Sequence, residues 1–133
     1  MEDKDKILQV DDLNLHFKLS RGLFKSPILI KAVDNISFSL FSGETLGIVG
    51  ESGSGKSSVC RLVLKLISKT SGSISWFNKD IDSFNSSELK NFRKSVQVIF
   101  QDPYGSLDPR MTIGKIISEP LDIYRKNLKI EEK

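Results

Sequence analysis

Apolar and polar positions alternate in two N-terminal runs. "ILQVDDLNLHFKL" (Ile7 to Leu19) and "AVDNISFSL" (Ala32 to Leu40) both read as strands. In the second, Ile36, Phe38 and Leu40 fall on one face and Asn35, Ser37 and Ser39 on the other. The connection "SRGLFKSPILIK" carries Gly22 and Pro27 and reads as a long loop. "FSGE" (Phe41 to Glu44) then turns into "TLGIVG", a short apolar run without alternation, the pattern of a strand covered on both faces. Val59, Leu62, Val63, Leu66 and Ile67 recur at helical spacing and predict a helix from about Lys56 to Ser68. "KTSG" ends it, with Gly72 placed for a left-handed turn.

Further along, "SISWF" (Ser73 to Phe77) predicts another strand, followed by a turn at "NKD". Asn85 with Glu88 three residues later has the spacing of a capping box, opening a short helix over "SSELKNFRK". "VQVIF" (Val96 to Phe100) reads as a strand and "QDPYGSLDPRM" as a loop with two prolines. "TIGKIISEPLDIYRK" resumes a helical pattern, which Pro120 is expected to break. Strands alternating with helices make the chain α/β. There are no repeats and no low-complexity stretch.

Composition narrows the class without naming a function. With 133 residues, 38% hydrophobic and 28% charged, the chain has the make-up of one globular domain. Twenty Lys and Arg against seventeen Asp and Glu give a net charge of +3, with both signs interspersed, so no single-sign patch for nucleic acid is expected. Cys60, the single cysteine, rules out an internal disulfide and fits a reducing compartment. The start "MEDKDKILQV" lacks the apolar core of a signal peptide, and no run of about 18 apolar residues occurs. Any connection to a membrane is therefore expected to run through a partner, with no direct insertion.

The chemistry is concentrated in "GESGSGKS". Gly50, Glu51, Ser52, Gly53, Ser54, Gly55, Lys56 and Ser57 satisfy G-x-x-x-x-G-K-[ST], the phosphate-loop pattern. Glycines allow positive φ and let the backbone approach an anion with no Cβ in the way. Successive N–H groups can then form a nest, and the helix behind adds its positive end. Lys56 supplies a compact charge for β- and γ-phosphates, and Ser57 a hydroxyl for Mg²⁺. A Gly/Ser-rich surface loop could match by chance, but the apolar run before it and the helical pattern after it are the context the motif requires. A nucleoside triphosphate with Mg²⁺ is the expected ligand.

The second half points to a family. "VIFQDPYGSLDPRMTIG" resembles the Q-loop region of ABC transporter ATPases, and "IFQDPYGSLDPR" followed by "SEPL" is similar to the ATP-binding subunits of oligopeptide and dipeptide importers. "RGLF", "KAVDNISFSL" and "GETLGIVGESGSGKS" resemble the same subfamily, so the likeness runs from about Ile7 to about Tyr124. It implies a P-loop NTPase core with an N-terminal antiparallel β-subdomain. About residues 1–100 would form that subdomain and core, and about 101–133 the Q-loop and the start of a helical subdomain. By the same resemblance Gly50 to Ser57 match the Walker A loop, and Ser58 is placed for an α-phosphate contact. Gln101 matches the Q-loop glutamine that coordinates Mg²⁺ and positions the attacking water. Phe17 falls where the family places an aromatic, more often Tyr, that stacks on adenine; core packing at a strand end is the competing role. The implied partners are membrane-spanning permease subunits, near Asp102 to Arg110, and a second ATP-binding subunit. The implied location is the cytoplasmic face of the cell membrane.

Other family parts are missing from the sequence. It holds no "SGG" of the signature, no apolar run followed directly by Asp and Glu as in Walker B, and no histidine after the loop, His16 being the only one. Hydrolysis needs a carboxylate to orient water and an acidic group on Mg²⁺. The resemblance therefore implies the N-terminal half of an importer ATPase, with an incomplete core and apolar faces at Ile48, Val59, Leu62 and Val63 short of cover. A small P-loop kinase using Asp102 as Mg²⁺ ligand is the alternative, although "QDPYGSLDPR" offers no acceptor-binding Arg cluster or lid; a non-catalytic remnant is a third. Cys60 is expected as a small buried hydrophobe, Trp76 as strand packing, and the C-terminal Lys cluster as a solvated face.

Overall fold

The computed structural model describes residues 5–22, 26–102, 105 and 107–124. They fall into two compact units, Met1–Leu89 and Lys90–Lys133, the boundary lying inside a helix. The elements in order are strands β1 (Lys6–Leu19) and β2 (Ile28–Phe41), helix α1 (Lys56–Val63), strands β3 (Ser71–Trp76) and β4 (Lys79–Asp80), a 3₁₀ turn (Ile81–Ser83), and helices α2 (Ser86–Ser95) and α3 (Ile113–Tyr124).

The first unit is built on one antiparallel sheet of order β2-β1-β3-β4. Leu8, Val10, Leu13 and Leu15 of β1 are all buried, a spacing that strict alternation would split between two faces. An extra residue resolves this. Asp12 takes φ 46° and its N–H donates to Ser37 Oγ at 2.8 Å, and the register against β2 shifts between Val10 and Leu13. Such a bulge turns the strand so that Leu13 and Leu15 rejoin the face of Leu8 and Val10. On β2 the compensating bulge sits at Asn35, φ 52°, whose N–H donates to Asn14 Oδ1 at 2.8 Å. Opposite Asp12 on β3 stands Gly72, φ 90°, where a Cβ would come within 2.4 Å of the Asp12 carbonyl oxygen. Gly72 thus serves the sheet, not the end of the preceding helix. Val59 and Leu62 of α1, Val33, Ile74 and Ile81 complete the core. Trp76 packs against it, as expected for a strand residue.

Several expectations need correcting. β2 starts at Ile28, four residues earlier than the alternation suggested, because Ile28, Leu29 and Ile30 pair with Leu19, Lys18 and Phe17. The expected loop is shorter accordingly, and Leu23 to Lys25 lie outside the described residues. Helix α1 ends at Val63: Lys65 adopts φ 52°, its N–H donates to Leu62 O and that of Leu66 to Arg61 O. This is a Schellman stop with lysine where glycine is usual. Strand β3 ends at Trp76, and Phe77 and Asn78, at φ 45° and 61°, make the tight turn into β4. Cys60 is exposed, since α1 turns Val59 and Leu62 toward the sheet.

Neither "TLGIVG" nor "VQVIF" forms a strand. Both are described, both lack ladder partners among the described residues, and Val49 and Ile99 are 92% and 94% exposed. An apolar run cannot be a strand alone, because its backbone groups need a neighbour to bond. The α/β order with its N-terminal antiparallel sheet is as expected.

In α2 the capping box is realised: Asn85 Oδ1 accepts from the N–H groups of Ser87 and Glu88, and Glu88 Oε2 accepts from Asn85 N–H, each at 3.0 Å. Lys79 pairs with Glu88 as well. In the second unit α3 carries Pro120 internally without breaking, at the cost of one backbone bond. The C-terminal Lys cluster lies outside the described residues. No helix of the described residues is long and apolar enough to cross a membrane.

Candidate functional site

The glycine loop leads from the unpaired apolar run into α1. Gly53 and Gly55 adopt φ 81° and 95°, the left-handed region that side chains resist. Gly55 is also pressed on the sheet: a Cβ there would meet the Ala32 carbonyl oxygen at 2.2 Å. Ala32 is the extra residue of another β2 irregularity, between the pairs Leu15–Val33 and His16–Lys31. The bulge therefore presents a carbonyl to the loop, and only glycine lets the loop come that close. Local sequence and sheet register together fix where α1 begins.

Gly55 is the N-cap of α1, and no side chain caps the first turn. The N–H groups of Lys56, Ser57 and Ser58 are the first-turn donors that a helix leaves without an internal partner, and the helix dipole adds positive potential there. Ser57 is exposed and Ser58 half-buried beside them. Lys56 turns back over the loop. Its Nζ donates to the carbonyl oxygens of Gly50, at 2.8 Å, and Glu51, and to Ser54 Oγ at 3.2 Å. Cation, glycine backbone and uncapped amides thus share one short segment, and what they can hold is an anion with several oxygens.

Phe17 lies on β1 opposite Ile30 of β2, on the face that Leu13 and Leu15 bury. It is 48% exposed and Ile30 is 44% exposed, so core packing does not account for it. Two residues along β2 from Ile30 is Ala32, the residue that Gly55 abuts. An accessible aromatic ring and the phosphate loop are thereby attached to the same stretch of β2.

Gln101 belongs to the second unit, is exposed and follows the unpaired Val96–Phe100 run. Asp102, the carboxylate that a kinase reading would place on Mg²⁺, instead accepts the Gly105 N–H at 3.0 Å through Oδ1. Asp108 likewise holds Arg110, by the backbone N–H at 2.9 Å and the guanidinium at 3.0 Å from two nitrogens. Those contacts hold the Asp108 carboxyl below its ordinary pKa, the guanidinium being the larger cause. His16 Nε2 stands 3.5 Å from Asp34 Oδ1, and its backbone N–H donates to Thr70 Oγ1, a structural role in the sheet. Among the described residues no group of three His, Cys, Asp or Glu could hold a metal. Two site features escaped sequence reasoning: the β2 bulge at Ala32 and the Ile30 neighbour of Phe17. Only the stretch "ILI" hinted at the latter.

A family profile described as "ABC transporter" matches residues 33–132. The oligopeptide transport ATP-binding protein OppF of Salmonella typhimurium is 43% identical over 131 residues, covering 96% of this chain and 39% of that protein. OppF of Haemophilus influenzae is 44% identical over 133 residues, covering 98% and 40%. The chain thus spans about two-fifths of the length of these relatives. Among solved structures, the dimeric ATP-binding cassette MJ0796 in a post-hydrolysis state with ADP and Pi superposes with a TM-score of 0.74 at 25% identity, covering 95% of this chain and 52% of that one.

Proposed function

This chain belongs to the ABC transporter family, and on that premise we propose that it is the triphosphate-holding part of an oligopeptide importer's ATP-binding subunit. The observation that carries the reading is the pairing of an uncapped helix start with a glycine backbone pressed into a β2 bulge. Gly50 to Gly55 wrap the phosphates, Lys56 meets the β- and γ-phosphates, and Ser58 reaches the α-phosphate. Phe17, accessible at the same stretch of β2, stacks on adenine.

Ser57 would hold Mg²⁺ through its hydroxyl. Gln101 would be the second protein ligand on this reading, and its carboxamide oxygen, like the Ser57 hydroxyl, is the kind of hard donor this cation favours. When bound, the ion neutralises charge on the β- and γ-phosphates. Gln101 is the candidate for coordinating Mg²⁺, sensing the γ-phosphate and positioning water. In the whole protein, hydrolysis would drive peptide uptake through permease subunits and a second ATP-binding subunit at the cytoplasmic face of the membrane. On this reading about residues 1–100 supply the β-subdomain and loop core, and about 101–133 the Q-loop and the start of a helical subdomain.

Thermal unfolding with and without Mg·ATP tests the binding claim. Ligand at about a hundred times its Kd stabilises the native state by about 2.7 kcal/mol, so the midpoint should rise. Lys56→Ala should remove the rise. An equal rise in the variant, or none in the parent chain, overturns the reading.

A further inference from the structure

Lys31 and Asp34 are three apart on β2, and in an unbroken strand residues an odd number apart point to opposite faces. Here they meet, Lys31 Nζ donating to Asp34 Oδ2 at 3.1 Å. The extra residue between them, Ala32, brings them to one side. The same carboxylate reaches β1, its Oδ1 standing 3.5 Å from His16 Nε2. That nitrogen is closed to solvent and has no hydrogen-bond partner among the described residues, so Asp34 is the charge set against it. Lys31, and His16 after it, hold the Asp34 carboxyl below its ordinary pKa.

β1 is fixed at this point from its other side. Thr70 N–H donates to Asn14 O at 2.8 Å, and Thr70 Oγ1 accepts from His16 N–H at 2.8 Å. Lys31 and His16 are the pair on one side of the Ala32 bulge, Leu15 and Val33 the pair on the other. Asp34, directly after Val33, thus reaches over the bulge to both members of the pair beyond it. The competing register has no bulge and slips by one residue. It pairs Ala32 with His16 and Lys31 with Phe17, turns Ile28 to Lys31 over to the opposite faces, and separates Lys31 from Asp34. The Ala32 carbonyl, against which Gly55 is pressed, would leave its place as well. An ion pair that exists in only one of two registers shifts the balance toward that one. Lys31 and Asp34 are both exposed, so their pair matters little to global stability and acts through this local choice.

We infer that Asp34 is a positioning residue of the nucleotide site: by clamping Lys31 and His16 across the bulge, it selects the register that seats the phosphate loop on Ala32 and sets Ile30 beside Phe17. The inference rests on the nucleotide reading above and adds to it a residue that touches neither phosphate nor base.

The test compares Asp34→Asn with Asp34→Glu in the whole chain. Hydrogen exchange without nucleotide reads the seat. The Val59 N–H, which donates to Gly55 O at 3.0 Å, should exchange about twofold to fivefold faster in Asp34→Asn, the range of one exposed ion pair. The Phe77 N–H, bonded to Ile7 O near the far end of β1, should keep its rate. Asp34→Glu retains the carboxylate and should exchange as the parent does. Titration with a fluorescent ATP analogue and Mg²⁺ reads the site. Affinity should fall about twofold to fivefold in Asp34→Asn and hold in Asp34→Glu. An unchanged Val59 rate in Asp34→Asn overturns the inference, and so does a rise shared equally by Phe77, the mark of general loosening. Faster Val59 exchange with unchanged affinity overturns it too, as does an equal loss in both variants. A parent chain that binds no analogue, with Val59 alone quickened in Asp34→Asn, would instead overturn the nucleotide reading and leave the clamp standing.

Discussion

Leu8, Val10, Leu13 and Leu15 of β1 are at most 6% exposed, whereas Leu46, Ile48 and Val49, equally aliphatic and close behind β2, are 46%, 42% and 92% exposed. The first group lies on a strand with antiparallel partners on both sides, β2 and β3. The second has no ladder partner among the described residues. Apolar side chains are buried at a profit only when the backbone between them finds hydrogen bonds, since an unpaired buried peptide group cancels much of the gain. β1 finds β2 through a nearby connection. A strand of a parallel sheet must wait for a crossover.

Removing a side chain from each region breaks the comparison most directly. Leu13→Ala, at a fully buried position, should cost about 3–5 kcal/mol. Val49→Ala should cost less than about 0.5 kcal/mol. Urea unfolding of the two variants measures both. If the costs are similar, the apolar run is buried in solution and the contrast is void.

Gly55→Ala probes the point where the glycine loop behind the apolar run meets β2, the partner of β1. The new methyl would collide with the Ala32 carbonyl at a positive φ, so about 1–3 kcal/mol of stability and most Mg·ATP affinity should be lost together. Titration calorimetry beside urea unfolding separates the effects. Affinity lost at unchanged stability would mean that β2 does not position the loop.

The smallest effect concerns polar stitching away from the core. Glu88 is held below its ordinary value of 4.5, first by the Lys79 ammonium and then by the Asn85 N–H. A depressed carboxylate contributes stability above its unfolded pKa and loses it as pH falls through the folded one. Glu88→Gln should therefore flatten the decline in stability below about pH 4.5 slightly. An unchanged acid limb would show that Glu88 adds nothing beyond the cap.

Much of the site was legible because its chemistry is local. The spacing of Gly50, Gly55, Lys56 and Ser57 encodes a turn, a close approach and a charge within one loop, and the capping box at Asn85 and Glu88 needs only three residues. Alternation in β1 and β2 likewise marked strands. It could not mark the bulges at Asp12, Asn35 and Ala32, because an extra residue is defined only against a partner strand. For the same reason Phe17 could be a core residue or an accessible ring until its pairing with Ile30 was known.

The sequence by itself determined which segments carry the phosphate-loop pattern, can cap a helix or have the alternation of strands, since those patterns span a few residues. Tertiary structure alone decided which strand-like runs are strands, how close Gly55 comes to β2, and that Lys56 turns inward. Each of these depends on backbone groups far apart in the chain reaching hydrogen-bond distance, and no local pattern records such a meeting.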